Sequence, residues 1–304
     1  MLTFVPLVAS LIASSSRSTA PAIFSTSTSL LEEITISEIG ASPENLSSTI
    51  DGTVYFGSTS KGTIYRALPN QSKAEPWIKG SEAGLSNVLG VFADEKSNTL
   101  WVCTNMPFGR NATSQPSGQT SLRSFNLKTG APKGNYPTPG GGLFNDIAIS
   151  KDGTVYISDT TDARILRLKP GSQSLEVWVS DAQLKGIDGI TFLADGALYF
   201  NNYFNGNLSR IRVAADGTAG PIMNLETSLK FTRPDGLRTT GGMSMYQVEG
   251  TGRLTQITIN GDKANATVLG EGFTQATGVT PRSKDILVLI ERTKAVVVKS
   301  PSAQ

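Results

Sequence analysis

One register repeats through this chain and limits what it can fold into. The phrases PENLSST, NVLGVFA, FNDIAIS, IDGITFL, PDGLRTT and ATGVTPR each open an apolar run. They recur at roughly the 40–50-residue period of a four-stranded repeat. Aligned, they set one column: Glu44, Leu89, Asn145, Asp188, Asp235 and Thr277. Each column residue stands just before a small residue, or before Asn or Asp. A short strand, a turn, a strand rich in Val, Tyr and Phe, a polar loop, a third strand, a second turn and an outer strand follow. Thr53-Val54-Tyr55-Phe56 and Thr154-Val155-Tyr156-Ile157 suit a pleated surface. Asp51-Gly52, Asp152-Gly153 and Asp195-Gly196 read as primed hairpin turns, because glycine accepts positive φ. Such a unit cannot bury its apolar faces alone, whereas copies stacked in a ring can. The expected fold is all-β, a six-bladed β-propeller. A β-sandwich, the competing fold, leaves the six-fold register unexplained.

The last repeat is one strand short. It offers Gly278-Val279-Thr280, Asp285 to Glu291 and Ala295 to Lys299 before the chain ends. The stretch Leu31 to Ile39 precedes the first column residue, where an outer strand belongs. Pairing it with the last repeat closes the ring and removes two free edges. Upstream, Leu2 to Ala13 is apolar but short for a membrane span, and Ser18-Thr19-Ala20 resembles a signal-peptidase site. Residues 1–22 read as a secretory leader, with a disordered or anchoring segment as the alternative, and residues 23–304 as a single domain. The expected location is the secretory pathway or the exterior. Asn70, Asn111, Asn207 and Asn265 lie in glycosylation sequons. Asn45 does too, but it follows Glu44 and is expected to point inward, unmodified.

Composition removes several chemistries. Histidine is absent, which excludes a Ser-His-Asp hydrolase, a His-ligated zinc site and a His general base. Cys103 is the single cysteine, so no internal disulfide forms. Net charge is +2 with both signs interspersed, unlike a nucleic-acid surface. The expected partner is a small molecule, with no nucleic acid, no membrane once the leader is removed, and a monomeric state.

In a propeller the column sits at one mouth of the axis. Glu44, Asn145, Asp188 and Asp235 carry hard oxygens, and carboxylates brought together repel unless a cation joins them. The set points to a divalent cation, Ca²⁺ first, with Mg²⁺, Zn²⁺ or Mn²⁺ as other occupants. Leu89 and Thr277 are expected only to shape the wall. The bland reading makes Asp188-Gly189 and Asp235-Gly236 turn pairs. However, the fourth repeat already has its turn at Asp195-Gly196. The long segment from Cys103 to Thr120 falls in a mouth loop and suits a lid. Phe108, Phe144, Tyr203 and Phe204 are candidates to line a substrate pocket there.

At Pro43-Glu44-Asn45, Gly142-Leu143-Phe144-Asn145-Asp146, Gly186-Ile187-Asp188-Gly189 and Arg233-Pro234-Asp235-Gly236 the chain resembles the regucalcin/gluconolactonase (senescence marker protein) family. The resemblance spans nearly everything after the leader. It implies a six-bladed propeller with a divalent cation at the mouth that hydrolyses lactones or related esters. It also implies that Glu44 and Asp235 are metal ligands, that Asn145 binds metal or substrate, and that Asp235 is general base or nucleophile. Asp188 departs from the pattern, which has Asn there. Its extra negative charge should weaken the cation as a Lewis acid and repel anionic substrates.

The leading expectation is therefore a secreted, metal-dependent lactonase or esterase. One alternative is a biosynthetic propeller steering a rearrangement or cyclisation, for example of hetero-Diels–Alder type, of an apolar metabolite. Another is a non-catalytic binding propeller.

Overall fold

The second strand of each repeat collects the β-branched and aromatic residues, and it is the most deeply covered element. The structure is a computed structural model that describes residues 32–106, 119–138 and 140–301. In it Val54–Ser58, Val155–Asp159 and Leu198–Asn202 are buried along their whole length. The described residues all belong to one compact unit, Leu31–Gln304. The leader assigned to residues 1–22, Phe108, Asn111 and most of the long loop lie outside the described residues. Helix is confined to short turns such as Gly80–Ala83 and Ala182–Leu184 among the described residues.

Three sheets have four antiparallel strands each. They are Asn87–Asp94, Thr99–Asn105, Ser121–Asn126 and Pro132–Pro137; Phe144–Ile149, Val155–Asp159, Arg164–Leu168 and Glu176–Ser180; and Ile187–Phe192, Leu198–Asn202, Leu208–Val213 and Ala219–Asn224. A further sheet runs Pro234–Gly241, Ser244–Glu249, Arg253–Asn260 and Lys263–Glu271. Its fifth strand, Glu226–Thr227, lies parallel on the outer edge and has no counterpart in the sequence reading.

The remaining sheet has eight strands in two halves. One half is Pro43–Ser48, Val54–Ser58, Ile64–Ala67 and Lys73–Ile78; the other is Gly278–Arg282, Asp285–Ile290 and Lys294–Lys299. Glu33–Ile36 lies between them. It pairs antiparallel with Lys294–Lys299, Ile34 facing Ala295, and parallel with Lys73–Ile78, Thr35 facing Lys73. The N-terminal strand thus supplies the missing strand and also joins the two halves.

The first strands of successive repeats lie against one another in a cycle, and Gly278–Arg282 returns to Pro43–Ser48. Apolar clusters fill the spaces between sheets. The closing cluster joins Ile34, Leu46, Phe56, Tyr65, Leu287, Leu289 and Ala295.

The Asp-Gly turns form, but not as primed turns. Only the glycines have positive φ: 91° at Gly52, 91° at Gly153 and 76° at Gly196. Gly52 N–H bonds Thr49 O at 2.9 Å, and Thr49 N–H bonds Thr53 O at 2.9 Å. This is a type I turn closed by a left-handed glycine, one residue longer than a primed turn. The aspartate fixes it from the side chain, because Asp51 Oδ1 accepts from Thr53 N–H at 2.9 Å.

The column coincides with a break in the ladder. Register shifts fall between Pro43 and Asn45, Val88 and Val91, Phe144 and Ile147, Ile187 and Ile190, and Pro234 and Leu237. Five column residues therefore sit in β-bulges, which release a side chain from the pleat and re-aim it. Close packing explains the small residue that follows. A Cβ on Gly189 would stand 2.6 Å from Asp235 O, and one on Gly90 2.4 Å from Asn145 O. Each glycine lets one repeat's backbone touch the next, so the turn-pair reading of Asp188-Gly189 and Asp235-Gly236 does not hold.

Candidate functional site

Polar side chains from the buried second strands hold the bulges. Asn105 brackets Phe144 by accepting from its N–H at 2.7 Å and donating to its carbonyl at 2.9 Å. Ser158 Oγ accepts from Asp146 N–H at 2.9 Å and donates to Asp188 O at 2.7 Å. Asn201 accepts from Gly189 N–H at 2.9 Å and donates to Asp235 O at 2.7 Å. Ser158 and Asn201 each tie their own repeat's bulge to the next repeat's backbone, and Asn105 holds the next repeat's strand at Phe144. Sequence reading did not give Asn105 or Ser158 this role, and it assigned Asn201 to a mouth loop, whereas Asn201 lies in the strand Leu198–Asn202. Their signal was a polar residue in an otherwise apolar strand.

All six column residues are buried. Asn145 Nδ2 donates to Thr160 Oγ1 at 3.1 Å and to Asp188 Oδ2 at 3.0 Å. Both bonds use the amide nitrogen, and Asn145 Oδ1 accepts none among the described residues. Glu44 Oε2 and Thr277 Oγ1 are buried with no hydrogen-bond partner among the described residues. The three carboxylates resist ionisation. Burial pushes Glu44 up to about 7, against a lowering pull from Arg292 and a further push from Asp146. Asp188 is held well above the carboxylate range by burial, then by the charges of Glu44 and Asp146; its bond from Asn145 opposes this. Asp235 is raised by burial, then by Asp188 and Glu44, and lowered by Arg292.

A buried polar layer joins the residues next to the column. Asp146 Oδ1 accepts from Asn45 Nδ2 and from Arg238 Nη2, each at 3.1 Å. Its Oδ2 accepts from Ile190 N–H at 3.0 Å. Arg238 also donates to Ile147 O at 3.1 Å and packs over the Phe92 ring, 5.4 Å from its centre. Asn45 is buried, as its inward placement required. Asp146 and Arg238 were missed as functional positions, although Asp146 directly follows a column residue.

The donor chemistry suits a hard divalent cation: three carboxylates, of which Glu44 leaves Oε2 without a hydrogen-bond partner among the described residues, and an amide oxygen. Among the described residues no three of His, Cys, Asp and Glu gather closely enough to chelate an ion as they stand.

Beside the column a pocket of about 280 Å³ is lined by Tyr203, Arg233, Asp235, Gly250, Gln275, Ala276, Thr277 and Arg292. Larger grooves of about 650 and 780 Å³ contain no column residue. Tyr203 reaches the mouth pocket, and Phe204 is exposed beside it. Phe144 does not line a pocket. It is fully buried with Leu122, Ile147 and Leu166, because it faces the neighbouring sheet while Asn145 takes the axial side.

No protein-family model and no curated protein sequence matches the chain. Solved structures share its fold. A gluconolactonase from Xanthomonas campestris superposes with a TM-score of 0.64 at 13% identity, covering 89% of this chain and 88% of its own. A luciferin-regenerating enzyme gives 0.63 at 12% identity, with 88% and 95% covered. Virginiamycin B lyase from Staphylococcus aureus gives 0.58 at 15% identity, with 89% and 99% covered. These neighbours are β-propellers, and the chain has the β-propeller architecture.

Proposed function

We propose that this chain is a six-bladed propeller enzyme that opens a lactone or ester of a small metabolite at the mouth formed by the column. The blade count reads the eight-stranded sheet as two blades joined by Glu33–Ile36. The observation that carries the reading is the set of three buried carboxylates on bulged strands, whose ionisation the fold suppresses. Structural neighbours named as a gluconolactonase and a virginiamycin B lyase add support at the level of fold.

Glu44, Asn145, Asp188 and Asp235 would hold the divalent cation, Ca²⁺ first. When bound, it supplies Lewis-acid polarisation of the substrate carbonyl and favours the ionised carboxylates. Asp235 lines the pocket and is the group placed to take a proton from attacking water. Asp188 accepts from Asn145 Nδ2 and so fixes the amide, leaving Asn145 Oδ1 for cation or substrate. Asp146 and Arg238, charge-paired in the layer of residues next to the column, keep the strands carrying these groups in register. The cyclisation reading relied on an aromatic wall. Phe144 is absent from the mouth pocket, whose lining is largely polar and charged, and this favours polar chemistry.

Secretion and a monomeric state belong to the same proposal, as do glycans at the exposed sequons Asn70, Asn207 and Asn265. The test is hydrolysis of a panel of five- and six-membered lactones by protein stripped of cations. Activity should be lost on stripping and return with Ca²⁺, and Asp235→Asn should keep its fold while losing turnover by about 10²–10⁴-fold. Full turnover in stripped protein would contradict the reading.

A further inference from the structure

The pocket beside Asp235 carries two guanidinium groups, Arg233 and Arg292, the second of which also draws down the carboxyls of Glu44 and Asp235. Arg233 precedes the fifth column residue. Its Nε donates to Tyr203 Oη at 2.8 Å, and its guanidinium lies 5.4 Å from the centre of that ring. Tyr203 thus pins one edge of the arginine and leaves the rest of its fork for a ligand. Arg292 comes from the hairpin between Asp285–Ile290 and Lys294–Lys299. It is exposed and makes no hydrogen bond or ion pair among the described residues.

The backbone is arranged to put these groups there. Glu291 and Arg292 have φ of 53° and 51°, and Thr293 N–H bonds Ile290 O at 3.1 Å. That is a type I′ turn, which normally takes Asn-Gly, built from two charged residues with side chains. Arg233 and Gln275 also have positive φ, 52° and 51°. Three of the residues lining this one pocket therefore sit in the left-handed region that non-glycine residues avoid. At Arg233 and Gln275 this conformation belongs to the repeat, since Ser42 and Gly186 also stand two residues before the column with φ of 50° and 86°, whereas the Glu291-Arg292 turn places a guanidinium at this pocket.

A second observation points to a ligand. Thr277 lines the same pocket, is buried, and leaves Oγ1 without a partner. An unpaired buried hydroxyl is rare, and a ligand oxygen would satisfy it. Two planar cationic forks and one orphan hydroxyl around a space this small make an oxyanion subsite.

We propose that the pocket formed by Arg233, Arg292 and Thr277 binds a carboxylate of the substrate, so the substrate class is a small lactone or ester bearing a free carboxylate. This rests on the proposed hydrolase reading only for the identity of the reacting group, because the subsite is a binding property in its own right. It also reverses the expectation that Asp188 bars anionic substrates. The negative charge lies on the axis, and the mouth beside it is positive. A singly charged carboxylate suits this division better than a dianionic phosphate, which the neighbouring carboxylates would repel more strongly.

The experiment uses one probe pair: a γ-butyrolactone ring carrying a carboxylate, and the same ring carrying a carboxamide at that carbon. Binding is measured by NMR titration to cation-stripped protein, and kcat and KM are measured with Ca²⁺ present. The carboxylate should bind at least about tenfold tighter than the amide, as one charge-assisted hydrogen bond allows. Arg292→Ala and Arg233→Ala should each remove most of that preference. Arg292→Lys should keep part of it, and Thr277→Val should weaken the carboxylate with the fold intact. Equal binding of the two probes, or a preference that survives both alanine variants, overturns the subsite. If the preference is present but neither ring is opened, the hydrolase reading fails and the subsite stands. If both rings are opened with the same KM and no binding preference, the subsite fails and the hydrolase reading stands.

Discussion

Asp146 and Arg238 are the pair on which the axial layer turns. Their side chains are 1% and 6% exposed, and they meet at 3.1 Å from Phe144–Ile149 and Pro234–Gly241, the strands that flank Ile187–Phe192 in the ring. Asp146 also accepts from Asn45 Nδ2 and from Ile190 N–H. A buried ion pair contributes little net stability, but breaking it strands a charge. Asp146→Ala should therefore destabilise the protein by about 3–5 kcal/mol in chemical denaturation. Replacing Asp146 and Arg238 together with apolar residues should cost much less. A double-variant loss equal to the sum of the two single-variant losses would show that the pair is not coupled. Cation affinity is expected to fall as well, by about 10–100-fold, because the pair orients the strands that carry the ligands.

At the level of strands, the closing element deserves the same treatment. Glu33–Ile36 bonds on both edges, and Ile34 is buried against Leu289 and Ala295. Ile34→Ala should cost about 2–5 kcal/mol, the usual range for an emptied core site. A change below about 1 kcal/mol would mean that the strand is only a surface strap. The register, the Asp-Gly turns and this closure were legible in the sequence, because each is a local pattern repeated along the chain. The bulges were not. An inserted residue looks like any other strand residue until its partner strand is known, and without the bulge the inward parity of Phe144 and Asn145 cannot be assigned. Arg292 was invisible for a different reason: its Glu-Arg dipeptide carries no turn signal, and only the observed φ values reveal the primed turn. The glycines after Leu89, Asp188 and Asp235 were legible as a pattern, and their cause, contact with the next repeat's backbone, needed the ring.

On the scale of the whole molecule, the ring gathers negative charge at its axis and must balance it. Glu44 goes from 4.5 to about 7 on folding, and Asp188 and Asp235 move in the same direction. A carboxyl raised on folding binds more protons in the native state, so the cation-free protein loses stability as pH rises. For Glu44 the loss begins near its unfolded value of 4.5 and is complete above about 7. Thermal melts of stripped protein should therefore fall between those pH values, and added Ca²⁺ should flatten the profile. An unchanged melting temperature across that window would contradict the charge assignment.

The proposed function depends on the axial carboxylates forming one cation site. Calorimetric titration of Ca²⁺ into stripped protein tests it most directly. Saturation is expected at a single ion per chain, with loss of more than about 100-fold in affinity in both Glu44→Gln and Asp235→Asn, beyond the 10–100-fold that changes around the ligands cost. No binding in the parent protein, or binding that both variants retain unchanged, would contradict it.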